Sequence, residues 1–356
     1  MEIAILDADL IGRKKHNFPN LSCMKISNYH KLLNDNVTLK TDYNNLGNFD
    51  KIYLAKVFTD TPVPEDILSL PNIYYGGTGF FFEKAKPLPY DIEHCFPDYH
   101  LYDEWIKTAN TKVHYYTDYS IGFLTRGCFR KCLFCVNQNY EKVNRHSPLQ
   151  EFYDPGRKKI MMLDDNFLGY VNWKELLQEV IDTGKKYIFK QGLDERILTD
   201  EKCKMLFSSK CEEATFAFDN VNDYNIIEEK LKLIDKYTSK ICRFYILCGF
   251  DRENRYDLSF WINDIESIFI RLNLIAKYGH ISYLMRFNKY VDSPYKGMYI
   301  NLARWINQPS IFKKMTIREF CEAHGENSGT MRYLTAFLEA YPDFKWLDWR
   351  WTDQKT

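Results

Sequence analysis

Three cysteines in one short segment are the residues best suited to do chemistry. The segment TRGCFRKCLFCVNQNY holds Cys128, Cys132 and Cys135, spaced C-x-x-x-C-x-x-C directly after a predicted strand. Thiolates on one loop can surround a compact metal centre, and they select iron–sulfur clusters, zinc or Cu(I). A structural zinc site needs four ligands, usually in paired knuckles, and the nearest further candidates, Cys95 and His146, lack that pairing. An iron–sulfur loop is therefore favoured, with a zinc loop and unrelated core cysteines as the alternatives.

Polar residues and glycine follow the later predicted strands at the point where each strand ends. They are Asp164, Asp165 and Asn166 in LDDNF, Arg196 in QGLDER, Asp219 in FAFDN and Gly249 in YILCGF. Carboxylates accept from ammonium and hydroxyl groups, a guanidinium binds a carboxylate through two parallel bonds, and glycine lets a ligand approach the backbone. Turns and surface ion pairs are the alternative role for each of these residues.

Apolar periodicity predicts the elements that position these residues. Short apolar strands alternate with helical stretches over residues 1–105, which indicates a small Rossmann-like layer. The pattern restarts near residue 115 and gives six strand–helix units, enough for an open (β/α)6 barrel whose chemistry lies at the carboxyl ends of its strands. The expected α/β fold therefore has three domains: a layer at 1–110, a partial barrel at 111–292 and a helical appendage at 293–356.

Composition excludes several classes of protein. The 356 residues carry 48 basic and 48 acidic side chains, so no bulk charge favours nucleic acid or a membrane surface. The 25 Phe, 26 Tyr and 7 Trp supply a core and argue against extensive disorder. We find no signal peptide and no apolar run long enough to span a membrane, so we expect a cytoplasmic protein with reduced cysteines.

The cysteine spacing, with an aromatic residue, Phe134, just before the last cysteine, resembles the radical S-adenosylmethionine (SAM) superfamily. The resemblance implies a 4Fe-4S cluster on the three cysteines, whose open iron binds SAM, and a flavodoxin or ferredoxin as electron donor. It also implies that Asp164, Asp165 and Asn166 meet the SAM amino group. Arg196, Asp219 and Gly249 match strand ends that meet the SAM carboxylate, the ribose hydroxyls and the adenine.

The sequences of these segments are similar to those of radical SAM proteins that carry an N-terminal cobalamin-binding-like domain. Such domains supply a cobalt ligand from D-x-H-x-x-G after the first strand, but Asp7–Gly12 reads DADLIG and has no histidine at that position. Arg13, Lys14 and Lys15 add cationic side chains to the same loop, while Gly76, Gly77 and Gly79 form a glycine loop. We expect this domain to be degenerate and to bind no cobalamin; a cobalamin-dependent radical SAM methyltransferase is the alternative function.

The appendage predicts helices and contains a helix–turn–helix-like stretch around Gly325. Residues 301–356 hold eight basic and seven acidic side chains, so a role in nucleic-acid binding is not favoured over a helical cap on the barrel. Trp346, Trp349 and Trp351 are expected to be packing anchors. The function predicted overall is a radical SAM enzyme that abstracts hydrogen from a substrate the sequence does not identify. A non-catalytic iron–sulfur or zinc protein that binds nucleic acid is the second alternative.

Overall fold

The computed structural model describes residues 1–14, 16–82 and 84–354 as an alternation of strands and helices. The strands are β1 (Glu2–Asp7), β2 (Asn36–Lys40), β3 (Lys51–Ala55), β4 (Ile73–Gly76), β5 (Tyr119–Gly122), β6 (Thr125–Arg126), β7 (Asn144–Arg145), β8 (Lys159–Met162), β9 (Lys186–Phe189), β10 (Cys211–Glu213), β11 (Thr215–Ala217), β12 (Arg243–Cys248) and β13 (Ile281–Arg286). The helices are α1 (Ala8–Gly12), α2 (Leu21–Leu32), α3 (Tyr90–Glu93), α4 (Asp103–Thr108), α5 (His114–Thr117), α6 (Trp173–Asp182), α7 (Asp200–Ser208), α8 (Tyr224–Asp235), α9 (Leu258–Lys277), α10 (Lys296–Ile306), α11 (Pro309–Phe312), α12 (Ile317–Glu322) and α13 (Gly329–Ala340).

Two compact units divide the chain. The first comprises Met1–Cys128, Val136–Asp164 and Lys174–Tyr187. The second comprises Phe129–Cys135, Asp165–Trp173 and Ile188–Thr356. Among the described residues, no helix combines the length and the apolar character that a membrane span requires. The bounds of the three expected domains remain predictions.

A parallel four-stranded sheet begins the first unit, in the order β2-β1-β3-β4. Its central strand β1 is buried on both faces, because Ile3 and Ile5 join one apolar cluster while Ala4 and Leu6 join another. This continuous apolar run is typical of a parallel strand covered on both sides. The carboxyl ends of its strands share one edge, which Asp7 and the glycine loop occupy. Later in this unit β5 and β8 also pair in parallel.

A parallel three-stranded sheet, β11-β12-β13, organises the second unit. Alternate residues of β12 are buried, and the long helix α9 packs against both β12 and β13. The appendage is helical, as predicted, with α10 against β13. The expected mixed α/β fold with parallel sheets is confirmed, whereas the closure of the strands into a (β/α)6 barrel remains a prediction.

The tryptophans near residue 350 pack against earlier elements of the second unit. The Nε1 of Trp349 donates to Asn273 Oδ1 at 3.0 Å, and the Nε1 of Trp351 donates to the carbonyl of His280 at 2.8 Å. Trp349 and Trp351 are buried, while Trp346 is partly covered through its indole bond to α9. The prediction that these three residues are packing anchors agrees with these contacts.

Candidate functional site

A short antiparallel ribbon forms the neck of the cysteine loop. β6 pairs with β7, so the chain leaves and returns at one point on either side of residues 127–143. Gly127 sits at the neck with φ +95°, a conformation that side chains rarely adopt. A Cβ there would lie 2.7 Å from the carbonyl oxygen of Lys142 and 2.7 Å from the ring of Tyr140. Only glycine therefore fits this position without displacing the backbone.

The three loop cysteines differ from the other seven cysteines of the chain in their exposure. Cys128, Cys132 and Cys135 are half-buried, and the amide of Cys135 donates to the carbonyl of Cys132 at 2.9 Å in a tight turn. The buried thiols are those of Cys23, Cys95, Cys203, Cys211, Cys242, Cys248 and Cys321. Burial raises the pKa of every one of these seven thiols, which keeps them protonated. The loop thiols are thus the ones suited to binding a metal centre as thiolates.

Neither Cys95 nor His146, the further ligand candidates from the sequence, is free to bind a metal in the structure. Cys95 is buried, and Asn28 Nδ2 donates to its sulfur at 3.6 Å. The Nε2 of His146 lies 3.4 Å from Glu93 Oε1, and its ring stacks on that of His94 with centroids 5.2 Å apart. Within the described ranges, no three His, Cys, Asp or Glu side chains converge as they would around a single metal ion. A 4Fe-4S cluster binds each thiolate to a different iron, so it does not require such convergence.

Asp164 supports the strand that leads into the loop. Its buried carboxylate accepts from the amide and the hydroxyl of Thr125, both at 2.6 Å, and from the amide of Leu124 at 3.3 Å. These bonds give Asp164 a positioning role beside the cysteine loop, and its contact with the SAM amino group stays a prediction. Asn166 is also buried, before a short turn at Phe167–Gly169, and Asp165 is partly exposed. Asp165 is thus the better placed of the two carboxylates to meet a ligand.

Phe134 connects the cysteine loop to the end of β12. Its ring meets that of Phe250 edge to face with centroids 5.4 Å apart, and Phe250 meets Phe287 in the same way at 4.9 Å. Edge-to-face pairs of this kind add about 1 kcal/mol beyond the area that they bury. The aromatic residue before the last cysteine therefore fixes the loop against the strand end that also carries Gly249.

Arg196 is held by carboxylates of its own chain. Its Nε donates to Asp194 Oδ1 at 2.8 Å and its Nη1 to Asp223 Oδ2 at 3.2 Å. Arg130, from the cysteine loop, donates to the other oxygen of Asp194 at 2.7 Å. Burial alone would lower the pKa of Arg196, but the bond to Asp194 and the nearby carboxylates raise it. The binding of Arg196 to the SAM carboxylate stays a prediction. Its ion pairs with Asp194 and Asp223, which extend through Asp194 to Arg130, are seen in the structure.

Asp219 and Gly249 lie at the ends of neighbouring strands, and each already has a partner. Asp219 Oδ1 accepts from the amide of Leu247 at 3.1 Å, and burial raises the pKa of Asp219 to about 6. Gly249 has φ +74°, and its amide donates to Asp264 Oδ2 at 2.7 Å. A Cβ at Gly249 would lie 3.0 Å from the Cβ of Tyr290, so the close approach is to the chain itself. Contacts of the two residues with ribose and adenine stay predictions.

Glu195 is a buried acid that the sequence analysis did not single out. Its Oε2 accepts from the amide of Ala217 at 2.9 Å, which ties the turn after β9 to the end of β11. Burial raises the pKa of Glu195 to about 8, so this carboxyl is largely protonated near neutral pH. The run Asp194-Glu195-Arg196 after a strand was the available signal. However, three adjacent charged residues do not show which of them is fully buried, and in the structure both acids are buried.

The edge of the first sheet is filled by buried acids of the DADLIG segment. Asp7 caps α1 by accepting from the amides of Asp9 and Leu10, and Tyr102 donates to it at 2.9 Å. Burial raises the pKa of Asp7 to about 7. Asp9, two residues later, accepts from the amide of Val57 at 2.7 Å. Its carboxylate therefore holds the turn after β3, at the position where a cobalamin domain would carry its histidine.

The neighbouring loops at this edge also pack on the chain itself. A Cβ on Gly77 would lie 2.3 Å from the carbonyl oxygen of Lys56, and one on Gly79 would lie 2.4 Å from the Lys56 side chain. Arg13 pairs with Asp60 at 2.7 Å, and Lys14 lines a surface depression of about 400 Å³. Lys15, which the sequence grouped with these cations, lies outside the described residues. The close approach that these two glycines permit is thus internal packing.

Two arginines of the helical appendage pair with its own acids. Arg318 binds Asp348 through two nitrogens, at 2.7 and 3.0 Å, and Arg350 donates to Glu319 at 2.5 Å. Arg304 contacts His324 Nε2 at 2.9 Å. These pairings use the positive charges that phosphate groups would need. Whether the appendage contacts nucleic acid stays a prediction.

Comparison with known proteins identifies the fold. No family model matches the sequence, and no curated protein matches it. The chain is similar to the radical SAM methyltransferase TsrM from Kitasatospora setae with cobalamin and a 4Fe-4S cluster bound: the TM-score is 0.51 and the identity 10%, over 80% of this chain and 74% of that one. TsrM with its tryptophan substrate and the SAM analogue aza-SAM gives a TM-score of 0.51 and 11% identity, over 80% and 72% of the two chains. The resemblance to radical SAM proteins with a cobalamin-binding-like domain is thereby confirmed as a likeness of fold.

Proposed function

We propose that this chain is a radical SAM enzyme that holds a 4Fe-4S cluster through Cys128, Cys132 and Cys135. The observation that carries the proposal is the exposure of its thiols. The three cysteines with this spacing are half-buried, whereas all seven others are buried with raised pKa values. The glycine neck and the fold shared with TsrM support the same reading.

A bound cluster of this kind supplies an electron, received from a flavodoxin or ferredoxin, that cleaves SAM into methionine and a 5′-deoxyadenosyl radical able to abstract hydrogen from a substrate. The chain's own residues hold the cysteine loop in place and orient SAM. Asp164 fixes the strand before the loop, and Phe134 fixes the loop after it. Asp165 offers a partly exposed carboxylate to the SAM ammonium, and Asp219 offers its second oxygen to the ribose.

Iron analysis of the anaerobically reconstituted full chain tests this proposal. We expect about four irons and four sulfides per chain in the wild type. Replacement of all three loop cysteines by alanine removes them, whereas Cys203→Ala, a matched change of a buried thiol in α7, retains them. With dithionite, the wild type also converts SAM slowly to 5′-deoxyadenosine. A full cluster in the triple variant, or a native chain that holds only zinc, contradicts the proposal.

A cobalamin-dependent radical SAM methyltransferase is the second candidate. The similarity to TsrM, whose structure holds cobalamin, favours it, as does the parallel first sheet with its loops at one edge. Asp9 stands where the histidine ligand would be and is engaged by Val57, so a corrinoid here would lack that imidazole. Incubation with hydroxocobalamin followed by desalting decides between the two. Retention of about one corrinoid per chain selects the methyltransferase, and its complete loss excludes it.

A further inference from the structure

One arginine is buried in the apolar face of the longest helix. Arg271 lies on α9 between Phe269 and Leu272 and is 1% exposed. A guanidinium retains its charge in such surroundings, so its burial is costly unless all of its donors are used. Its Nε donates to the carbonyl of Ser267 at 3.1 Å, and its Nη2 to the hydroxyl of the same residue at 3.2 Å.

The Nη1 group of Arg271 contacts three backbone carbonyls at two strand ends. It lies 3.1 Å from the carbonyl oxygen of Phe218, 2.9 Å from that of Asp219 and 2.8 Å from that of Leu247. The carbonyls of Phe218 and Asp219 follow the end of β11, and the carbonyl of Leu247 belongs to the second-last residue of β12. One side chain therefore joins the carboxyl ends of two neighbouring strands.

This contact satisfies backbone groups of β12 that have no partner strand, because β12 extends further than β11 at their carboxyl ends. β11 ends at Ala217, whereas β12 continues to Cys248. Alternate residues of a parallel strand direct both backbone groups to the same neighbour, so Leu247 faces the β11 side with no strand beside it. Its amide is satisfied by Asp219 Oδ1 at 3.1 Å, and its carbonyl by Arg271. The two side chains thus replace the missing ladder bonds.

The same helix face also contacts Gly249, two residues after Leu247. Asp264 lies two helical turns before Arg271, and its Oδ2 accepts from the amide of Gly249 at 2.7 Å and from the hydroxyl of Tyr299 at 2.7 Å. Burial raises the pKa of both Asp219 and Asp264, and the charge of Arg271 opposes that rise. Arg271 thereby favours the carboxylate forms that accept from Leu247 and Gly249.

We propose that Arg271 is a positioning residue for SAM, a buried cation that holds the ends of β11 and β12 in register so that Asp219 and Gly249 meet the nucleoside. This inference rests on the proposed function. Arg271 itself lies on the helix side of the sheet and acts through the backbone. Cofactor affinity should then depend on the strand-end bonds more than on the general stability of α9.

SAM binding to the anaerobically reconstituted chain, measured by equilibrium dialysis, tests the proposal. We expect Arg271→Met to weaken SAM binding about tenfold, equivalent to about 1.4 kcal/mol, with its iron content unchanged. Arg271→Lys keeps the charge but not the planar fork, so it should rescue part of the affinity. Leu272→Ala is the matched control, because it removes buried volume from the same helix and touches none of the three carbonyls. It should bind SAM as the wild type does.

Amide hydrogen exchange without SAM gives a second readout that does not depend on the cofactor. The amides of Leu247 and Gly249 should exchange faster in both Arg271 variants than in Leu272→Ala, which controls for the general loss of stability that a core truncation in α9 causes. If Arg271→Met does not fold, the lysine variant decides. Wild-type SAM affinity in a folded Arg271 variant overturns the inference and leaves the proposed function standing. A wild-type chain that holds iron but binds no SAM overturns the proposed function and this role together.

Discussion

Replacing Gly127 by alanine should loosen the cysteine loop at its neck. Two costs add at this position. A φ of +95° disfavours an L side chain by about 1–2 kcal/mol, and a Cβ at 2.7 Å from the Lys142 carbonyl forces an overpacked backbone to move at about 1–3 kcal/mol more. Gly325→Ala separates the two terms, because Gly325 has φ +88° with nothing within 4 Å of its Cβ position. It should show the first cost alone.

Urea unfolding and iron retention together measure the effect. We expect Gly127→Ala to lower the free energy of unfolding by about 1–3 kcal/mol more than Gly325→Ala does. We also expect Gly127→Ala to lose iron faster to a chelator after anaerobic reconstitution, because the ribbon before Cys128 can no longer close. Equal destabilisation by the two variants, with iron loss at the wild-type rate in both, would refute the reasoning about the neck.

Three further outcomes follow from the site. The buried carboxyl of Glu195 has its pKa raised from 4.5 to about 8, so the folded state keeps a proton that the unfolded chain releases, and wild-type stability falls as pH rises from 5 to 8. Glu195→Gln should flatten that decline in urea unfolding, and equal slopes would show that Glu195 is not its source. Asp165→Asn should weaken SAM binding in equilibrium dialysis at unchanged iron content, and unaltered affinity would remove Asp165 from the site. Phe134→Leu keeps apolar bulk but loses the edge-to-face contact with Phe250, worth about 1 kcal/mol, and should release iron faster than the wild type and Phe134→Tyr; wild-type release from Phe134→Leu would disprove the aromatic role.

Apolar periodicity was sufficient to predict the longer elements. The alternating run Arg243–Leu247 predicts β12, and the helical spacing from Asp257 predicts α9 to its end at Lys277. β6 and β7 carry no such signal, because two residues cannot show a period. These two strands pair because the chain returns on itself around the cysteine loop, and the sequence signal for that return is the glycine at position 127.

Some functional residues are likewise identified by a local sequence pattern, whereas others are identified only by contacts in the folded chain. The cysteine spacing is a local signal, so the sequence alone singles out the loop. Which of two adjacent acids faces a ligand depends on the backbone, and Asp164 turns to Thr125 while Asp165 keeps partial exposure. Arg271 was visible in the sequence as a charge among apolar residues at helical spacing. Its three carbonyl partners come from two strands far away in the chain, so only the folded sheet identifies its role.

The tryptophan anchors near residue 350 bear on the order in which the chain can fold during synthesis. Phe269 of α9 stacks on Trp346 at 5.8 Å and meets Phe344 edge to face at 5.2 Å. The aromatic cover over Phe269 is therefore completed by residues about 75 positions further along the chain. Until those residues have left the ribosome, Phe269 has Trp305 of α10 as a neighbour but stays open to water or to a chaperone where Phe344 and Trp346 will cover it.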